Sequence, residues 1–379
     1  AFSGSTSVMS LIFGEESSLV SIGDYAFKDM LQVAEVVIPE SVTNIGSGIL
    51  AGWNSLASLS VPYVGSSAED KANPLGYLFG YETSGSTTSK QSSGEAVYQG
   101  VSNKYYNVPR SLVEVAVTLE DEIINNAFYN LDNIVKVTAA AITSIGAYAF
   151  YGASSLVKFN SDEGVKILDS VTSIGDYAFS ENTSMSKLTL GLGLEDIGAY
   201  AFSNNNAITS LELPQSIAEV GAYAFSGCGS LVEITGTEYL DEIKEGTFAD
   251  CISLTVNPDL TNIEIIGEGA FKNCTSLTTI NVSSKLDEIG KEAFNGCASL
   301  LVTPDLSNVS VIGDEAFVNC TLLTDIHNLN ANTNLGNNVF ANNKNIAKVT
   351  VEYKKVVSDF YLAKLFGEKA GEGSNGFYE

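Results

Sequence analysis

The sequence predicts an α/β solenoid, right-handed, with one short parallel strand per coil of about 23 residues and the strands stacked into one curved parallel sheet. Three observations predict it. Phenylalanine recurs at Phe179, Phe202, Phe225, Phe248, Phe271, Phe294, Phe317 and Phe340, seven equal intervals of 23 residues. Most of these close one phrase, an apolar residue plus Gly, a few polar residues, then Ala-Phe, as in Ile174-Gly175 to Ala178-Phe179 and Ile289-Gly290 to Ala293-Phe294. Counting from each Phe as zero, apolar residues return at +6, +9, +11, +15 and +18, which in the coil of Phe271 are Leu277, Ile280, Val282, Leu286 and Ile289.

Each part of the coil has its own signature. The period-two spacing at +9 and +11 reads as a buried strand. The Ala-Phe stretch reads as a single helical turn, and the Gly at +19 as a bend with positive φ.

Taken from the N-terminus, Ala1-Phe2 fits the Ala-Phe position, with Val8, Leu11 and Phe13 at +6, +9 and +11, so the chain reads as opening inside a repeat. Ile22-Gly23 to Ala26-Phe27 gives the next coil, and Leu50 stands for Phe 23 residues later, in the coil that carries the sole Trp, Trp53. Residues 80–104 are rich in Gly, Ser and Thr and carry no repeat signature, so they read as an inserted surface loop. Tyr105-Tyr106 then reads as the substitute for Ala-Phe, because Leu112, Val115 and Val117 follow at +6, +9 and +11. Phe150 lies 29 residues before Phe179, so six residues bulge from that coil within 160–168. The expected organisation is therefore coils over 1–79, a loop over 80–104, the main array over 105–354, and a further interrupted unit over 355–379, where Leu365-Phe366-Gly367 echoes Leu78-Phe79-Gly80. Cys251-Ile-Ser-Leu matches Cys297-Ala-Ser-Leu 46 residues on, a duplicated pair of coils. Both ends read as cut, which is the expectation for a fragment of a longer protein.

Composition narrows the function classes. Asp and Glu total 45 against 19 Lys and Arg, a formal charge of −26, which disfavours nucleic acid and anionic membrane surfaces as partners. No apolar run approaches the 18 or so residues of a membrane span. With one His and one Arg in 379 residues, there is little material for acid/base work or phosphate binding. The expectation is no enzyme, no cofactor and no metal. Cys228, Cys251, Cys274, Cys297 and Cys320 all sit at +3, a slot that Asn182, Asn205 and Asn343 also fill, so they read as a column of buried thiols rather than disulfides or a zinc site. The acid pairs Asp121-Glu122, Glu195-Asp196, Asp241-Glu242 and Asp287-Glu288 read as a solvated stripe, with calcium bridging as the sharper alternative. Trp53, Tyr98, Tyr105 and Tyr106 offer rings for sugar stacking, against core or capping roles.

The phrase Leu-x-x-Ile-x-hydrophobic-Pro followed by Ile-Gly-x-x-Ala-Phe-x-x-Cys resembles the leucine-rich repeats of BspA-type surface proteins of oral and gut bacteria. Val33, Val36, Ile38-Pro39 and Ile45-Gly46 carry it, as do Ile208, Leu211, Leu213-Pro214 and Val220-Gly221. Asn73 to Gly80 with Tyr105 to Leu112 also looks like a module of such proteins. The resemblance implies a leucine-rich-repeat solenoid, an exported and surface-attached protein, and adhesion to host or bacterial macromolecules, with no catalytic residues.

The leading expectation is thus a monomeric cell-surface adhesion protein recognising a host extracellular-matrix protein, a bacterial surface protein or a glycan. Its rivals are a spacer that displays other modules and a scaffold fused to an enzyme domain elsewhere. The expected contact surface is the outward +8 and +10 strand positions or the inserted loop. Those positions are Ser58, Ser60, Lys187, Thr189, Ser210, Glu212, Glu233, Thr235, Thr279, Asn281, Asp325, His327, Lys348 and Thr350. His327 and Asp325 share that side, but the repeat frame places no nucleophile beside them.

Overall fold

The computed structural model describes residues 2–14, 16–83, 96–101, 104–256 and 258–352. It bears out the leucine-rich-repeat solenoid of roughly 23-residue coils, divided into two compact units, residues 1–194 and 195–379. In the first unit, strands Glu35–Val37, Ser58–Val61, Glu114–Val117, Lys136–Ala139, Lys158–Phe159, Val165–Lys166 and Leu188–Thr189 lie side by side in one parallel sheet. Their register follows the repeat, Leu59 opposite Val115 and Val115 opposite Val137. In the second unit the same strand position pairs in shorter pieces, Ser210–Glu212 with Glu233–Thr235, Asp259–Leu260 with Asn281–Val282, and Asp325–Asn330 with Lys348–Glu352. The expected single sheet is thus segmented.

A second parallel ladder, which the +9/+11 rule does not reveal, runs through the Ile-Gly phrase. Glu122–Ile123, Ser144–Ile145 and Ser173–Ile174 form it in the first unit. In the second, it joins Glu242–Ile243, Ile265–Ile266, Glu288–Ile289, Val311–Ile312 and Asn334–Leu335.

The helical turn expected at Ala-Phe does not form: among the described residues there is no α-helix, only 3-10 segments at Leu75–Phe79 and Thr237–Tyr239. The reason lies in where the amide protons go. Around Phe271, alternate N–H groups turn back within the coil (Ala270 to Gly267 O, 3.3 Å; Lys272 to Gly269 O, 2.9 Å) or donate to the next coil (Gly269 to Lys291 O, 2.9 Å; Phe271 to Ala293 O, 2.8 Å; Asn273 to Asn295 O, 2.8 Å). An α-helix would consume all of them internally. The alternation requires a left-handed residue two before and two after each Phe, here Gly269 (φ 59°) and Asn273 (φ 60°). The phenylalanines stack as a consequence, Phe271 on Phe294 at 5.5 Å and Phe294 on Phe317 at 5.1 Å between centroids, all fully buried.

Gly at +19 has a different cause from the one expected. Gly290 is not left-handed; a Cβ there would lie 2.6 Å from the Gly267 carbonyl carbon and 2.7 Å from the Glu268 nitrogen of the preceding coil. The glycine is needed for close approach between coils.

The insertion is more structured than a loop. Tyr81–Thr83, Ala96–Val101 and Lys104–Pro109 form an antiparallel sheet with Lys104–Pro109 in the centre, while residues 84–95 and 102–103 lie outside the described residues. Tyr105-Tyr106 therefore sits in a strand and does not replace Ala-Phe. Leu78-Phe79 does, since Leu50 N–H donates to Leu78 O (2.8 Å) as each Phe donates to the residue before the next one. Strand Ser58–Val61 then pairs directly with Glu114–Val117, so the insertion is looped out of one coil. The bulge before Phe179 comprises bends at 160–164 and the additional strand Val165–Lys166. The unit expected over 355–379 lies outside the described residues.

All five cysteines are free and buried. Each Sγ donates to the carbonyl of the Phe one coil earlier, Cys274 to Phe248 O and Cys297 to Phe271 O, both at 3.1 Å. Asn343 Nδ2 does the same to Phe317 O (2.7 Å), and so does the buried Trp53 indole N–H to Phe27 O (2.7 Å). Trp53 is core, which removes it as a sugar platform.

Two outcomes follow from this packing. Gly290→Ala, which meets backbone, should lower the melting temperature more than Gly269→Ala, whose new Cβ meets only Lys272 side-chain atoms at 3.8 Å and costs about 1 kcal/mol of left-handed strain; equal shifts in thermal unfolding would contradict the close-approach role. Burial pushes the Cys228 and Cys320 thiols up to about 12. Iodoacetamide at pH 8 should therefore leave all five cysteines unlabelled in the folded chain and label all five in guanidinium, as read by intact mass.

Candidate functional site

The repeat places the +8 and +10 side chains outward where the flanking +9 and +11 residues are held in the core, as Leu59, Leu211, Ile234 and Ile326 are; in the coil of Phe340 the expected burial fails, since Val349 and Val351 are exposed. Lys187, Thr189, Ser210, Glu212, Glu233, Thr235, Asn281, His327 and Lys348 are exposed, and Ser58, Ser60, Thr279, Asp325 and Thr350 are half-buried. Pairing sets them in rows: Ser58 beside Glu114, Ser210 beside Glu233, Glu212 beside Thr235, and Asp325 beside Lys348. They are distributed over both units rather than gathered at one point.

Part of this face is ion-paired. Asp162 and Glu163, carried by the bulge, reach Lys136 (2.9 Å), Lys158 (3.9 Å) and Lys187 (3.2 Å). Lys348 pairs with Asp325 at 2.9 Å. Such exposed pairs contribute at most about 1 kcal/mol and exchange readily for a ligand's charges. His327 is exposed, and its backbone N–H donates to the buried Thr303 hydroxyl at 2.8 Å. That contact is structural and involves the backbone rather than the imidazole.

The acid pairs are divided. Asp121 and Glu122 meet Lys71 at 3.6 and 2.8 Å. No group of three or more metal-ligating side chains occurs among the described residues. The sequence reading passed over Glu120, which is buried and accepts the Val64 N–H at 2.7 Å. Burial lifts its carboxyl to about 7, against the opposing pull of the Val64 N–H and Lys71. Nearby, Asp70 organises residues 66–73. It accepts the Ser66 N–H and hydroxyl (2.9 and 2.7 Å), the Ala72 and Asn73 N–H groups (both 3.1 Å) and the Asn73 amide (2.8 Å). Burial alone would raise Asp70, but these hydrogen bonds outweigh it and bring the carboxyl down to about 2.

Also unforeseen is a group of tyrosines on the turns of the first unit. Tyr148 stacks on Tyr177 (4.8 Å, 7°) and Tyr129 on Tyr151 (5.3 Å, 15°), and the two stacks touch through Tyr148 and Tyr151 at 5.8 Å. The signal was present in Tyr-Ala-Phe and Ala-Phe-Tyr, but the frame, tuned to buried positions, gave no weight to −2 and +1. Tyr106 is buried, and Tyr98 has no described side chain, so neither supports the sugar-stacking reading.

The carboxyls set a pH dependence. Glu120, raised when folded, stabilises fully below about pH 4.5 and less as pH rises to 7; Asp70, lowered when folded, stabilises above about pH 4 and less as pH falls towards 2. Stability should peak near pH 4 to 5, and Glu120→Gln should abolish the decline between pH 5 and 8, worth as much as about 3 kcal/mol, in urea titrations at the two pH values.

Comparison with known proteins accords with this geometry. Six copies of the BspA type leucine rich repeat region match over residues 1–72, 161–258 and 257–361. Among solved structures, a leucine rich cell surface protein of Faecalibacterium prausnitzii is 20% identical, with 71% of this chain and 96% of that one covered and a TM-score of 0.40. A leucine-rich repeat protein of Eubacterium ventriosum is 16% identical, with 90% and 84% covered and a TM-score of 0.40. One from Bacteroides ovatus is 20% identical, with 67% and 80% covered and a TM-score of 0.32. No curated protein matches the chain in sequence. With well over half of its length matched, the chain belongs to the BspA type leucine rich repeat family.

Proposed function

We propose that this chain is a cell-surface binding protein that recognises a macromolecule, a host or bacterial surface protein before a glycan, through the outward strand face of its coils. The observation that supports this most is the presentation of polar side chains in rows, with none of the fourteen residues named above buried, although the buried Pro258 and Pro304 interrupt the +10 row. The core fixes their spacing, so a partner meets a pre-ordered lattice and loses little entropy in ordering it. The face has few aromatic residues, so each coil contributes modestly and several act together. Export and attachment to the cell surface belong to the same reading, supported by the family and by the surface protein of F. prausnitzii among its structural neighbours. Catalysis has no support in the geometry of His327. No helix among the described residues is long and apolar enough to cross a membrane.

The test is a binding screen of the purified chain against extracellular-matrix proteins and a glycan array, with and without calcium. Glu212 and Glu233 are exposed on adjacent strands of the second unit. Reversing both, Glu212→Lys with Glu233→Lys, should weaken a basic partner about ten-fold by surface plasmon resonance without moving the melting temperature. Unchanged binding in that variant, with binding abolished by deletion of residues 84–95, would assign recognition to the insertion instead.

A further inference from the structure

Two columns of left-handed residues flank the phenylalanines, and they are filled by different rules. Two residues after Phe, the column holds Gly, Asn or Asp in every coil but one, where Glu181 stands (φ 65°). Two residues before Phe, Gly48, Asn126, Gly246, Gly269 and Asn338 occupy it in five coils and Glu292 and Glu315 in two, while tyrosine does so in five, at Tyr25, Tyr148 (φ 57°), Tyr177 (φ 56°), Tyr200 and Tyr223; only at Tyr148 and Tyr177 do further tyrosines from the +1 column join it. Gly and Asn accept this conformation at little cost, whereas Tyr and Glu each lose about 1 kcal/mol. The fold does not ask for these side chains.

Tyr129 and Tyr151, one residue after Phe, complete the group, in a column that later coils fill with Ser180, Ser203 and Ser226. Rings at 4.8 to 6.4 Å thus form one contiguous aromatic plate over three coils, bordered by Asp176 and Glu181, whose charges act on Tyr148 and Tyr151. Tyr148 is the most exposed of the four, and the others are half-buried. Mutual stacking orders the plate before any partner arrives, as in an interface hot spot.

We infer that the Tyr129, Tyr148, Tyr151 and Tyr177 plate, with Asp176 and Glu181, is a second docking surface, one that takes an arginine-bearing segment of a protein partner. Charge complementarity selects that occupant. The plate is edged by carboxylates in a chain of net charge −26, and a guanidinium both packs on tyrosine and pairs with a carboxylate. This surface lies on the turns at −2 to +2, apart from the +8 and +10 strand positions, so it stands or fails separately from the strand face.

The test uses octa-arginine and octa-lysine as probes of the whole chain by isothermal titration calorimetry, with neutral glucan and chitin oligosaccharides alongside. Octa-arginine should bind about five-fold more tightly than octa-lysine, the ratio one cation–π contact supplies. Tyr148→Asn with Tyr177→Asn should erase that preference while octa-lysine binding stays the same, since no charge changes. The melting temperature should hold or rise, because Asn already fills this column at Asn126 and Asn338. Should that variant unfold, Tyr129→Ser with Tyr151→Ser removes the other stack and should erase the same preference. Equal binding of the two peptides by the unmodified chain, or an arginine preference that survives in a folded variant, would overturn the inference. Oligosaccharide binding that the variant loses would overturn the partner class.

Discussion

Everything in this fold depends on the division of amide protons at the turn. Because every second N–H around the phenylalanine is donated to the following coil, turn as well as strand is welded to its neighbour, and the phenylalanine is placed directly over the next one. The strands alone are too short to do this. Several of the paired strands are only two residues long, which gives a ladder of one or two hydrogen bonds per coil. The turn ladder, the Ile-Gly ladder and the buried aromatic stack supply the rest, so each coil is held at three places around its circumference rather than at one sheet.

The same geometry explains the +3 slot. The carbonyls of Phe225, Phe248, Phe271 and Phe294 already accept the N–H of the residue three further on, as Phe271 O accepts Cys274 N–H at 3.1 Å, and the second lone pair points towards the next coil. A short buried donor in that coil satisfies it, and a thiol, an amide and an indole all do so in this chain. In those coils the shared feature is a donor at a fixed place, not sulfur, and Met30, Leu131 and Ala153 fill the slot elsewhere without one. That is why the column of cysteines has no need of disulfide or metal chemistry.

Much of this was legible in the sequence because burial is periodic. Val36, Val115 and Leu211 are inward as the spacing expects, and none of the fourteen outward candidates is buried, though Val349 and Val351 in the last described coil are exposed against expectation. What the pattern could not show depends on the backbone rather than on apolar spacing. Gly290 reads equally as a residue for positive φ or for close approach, and only the distance to Gly267 decides. Tyr105-Tyr106 satisfies the spacing rule for Leu112 and Val115, yet Leu78-Phe79 holds the turn position, because an insertion preserves the frame on both of its sides. Glu120 was invisible for a related reason: its neighbours Asp121 and Glu122 make the segment look like a solvated acidic run, while tertiary contact with Val64 buries the first of the three.

The left-handed columns separate what the fold requires from what the surface has acquired. In a stack where each coil touches only its neighbours, a residue's cost is paid locally and does not propagate along the array. A coil can therefore carry a strained tyrosine at −2 while the next carries glycine, and the backbone is unchanged. Tyr223 shows this directly: its ring lies over Gly246 so closely that a Cβ added there would meet it at 2.1 Å, so the column passes from aromatic to glycine within one step. Positions whose conformation is fixed by the repeat, but whose side chain is not, are the ones free to vary in chemistry. In this chain they are the outward strand rows and the −2 and +1 turn columns, and the tyrosines gather in the second of these, where the backbone least favours them.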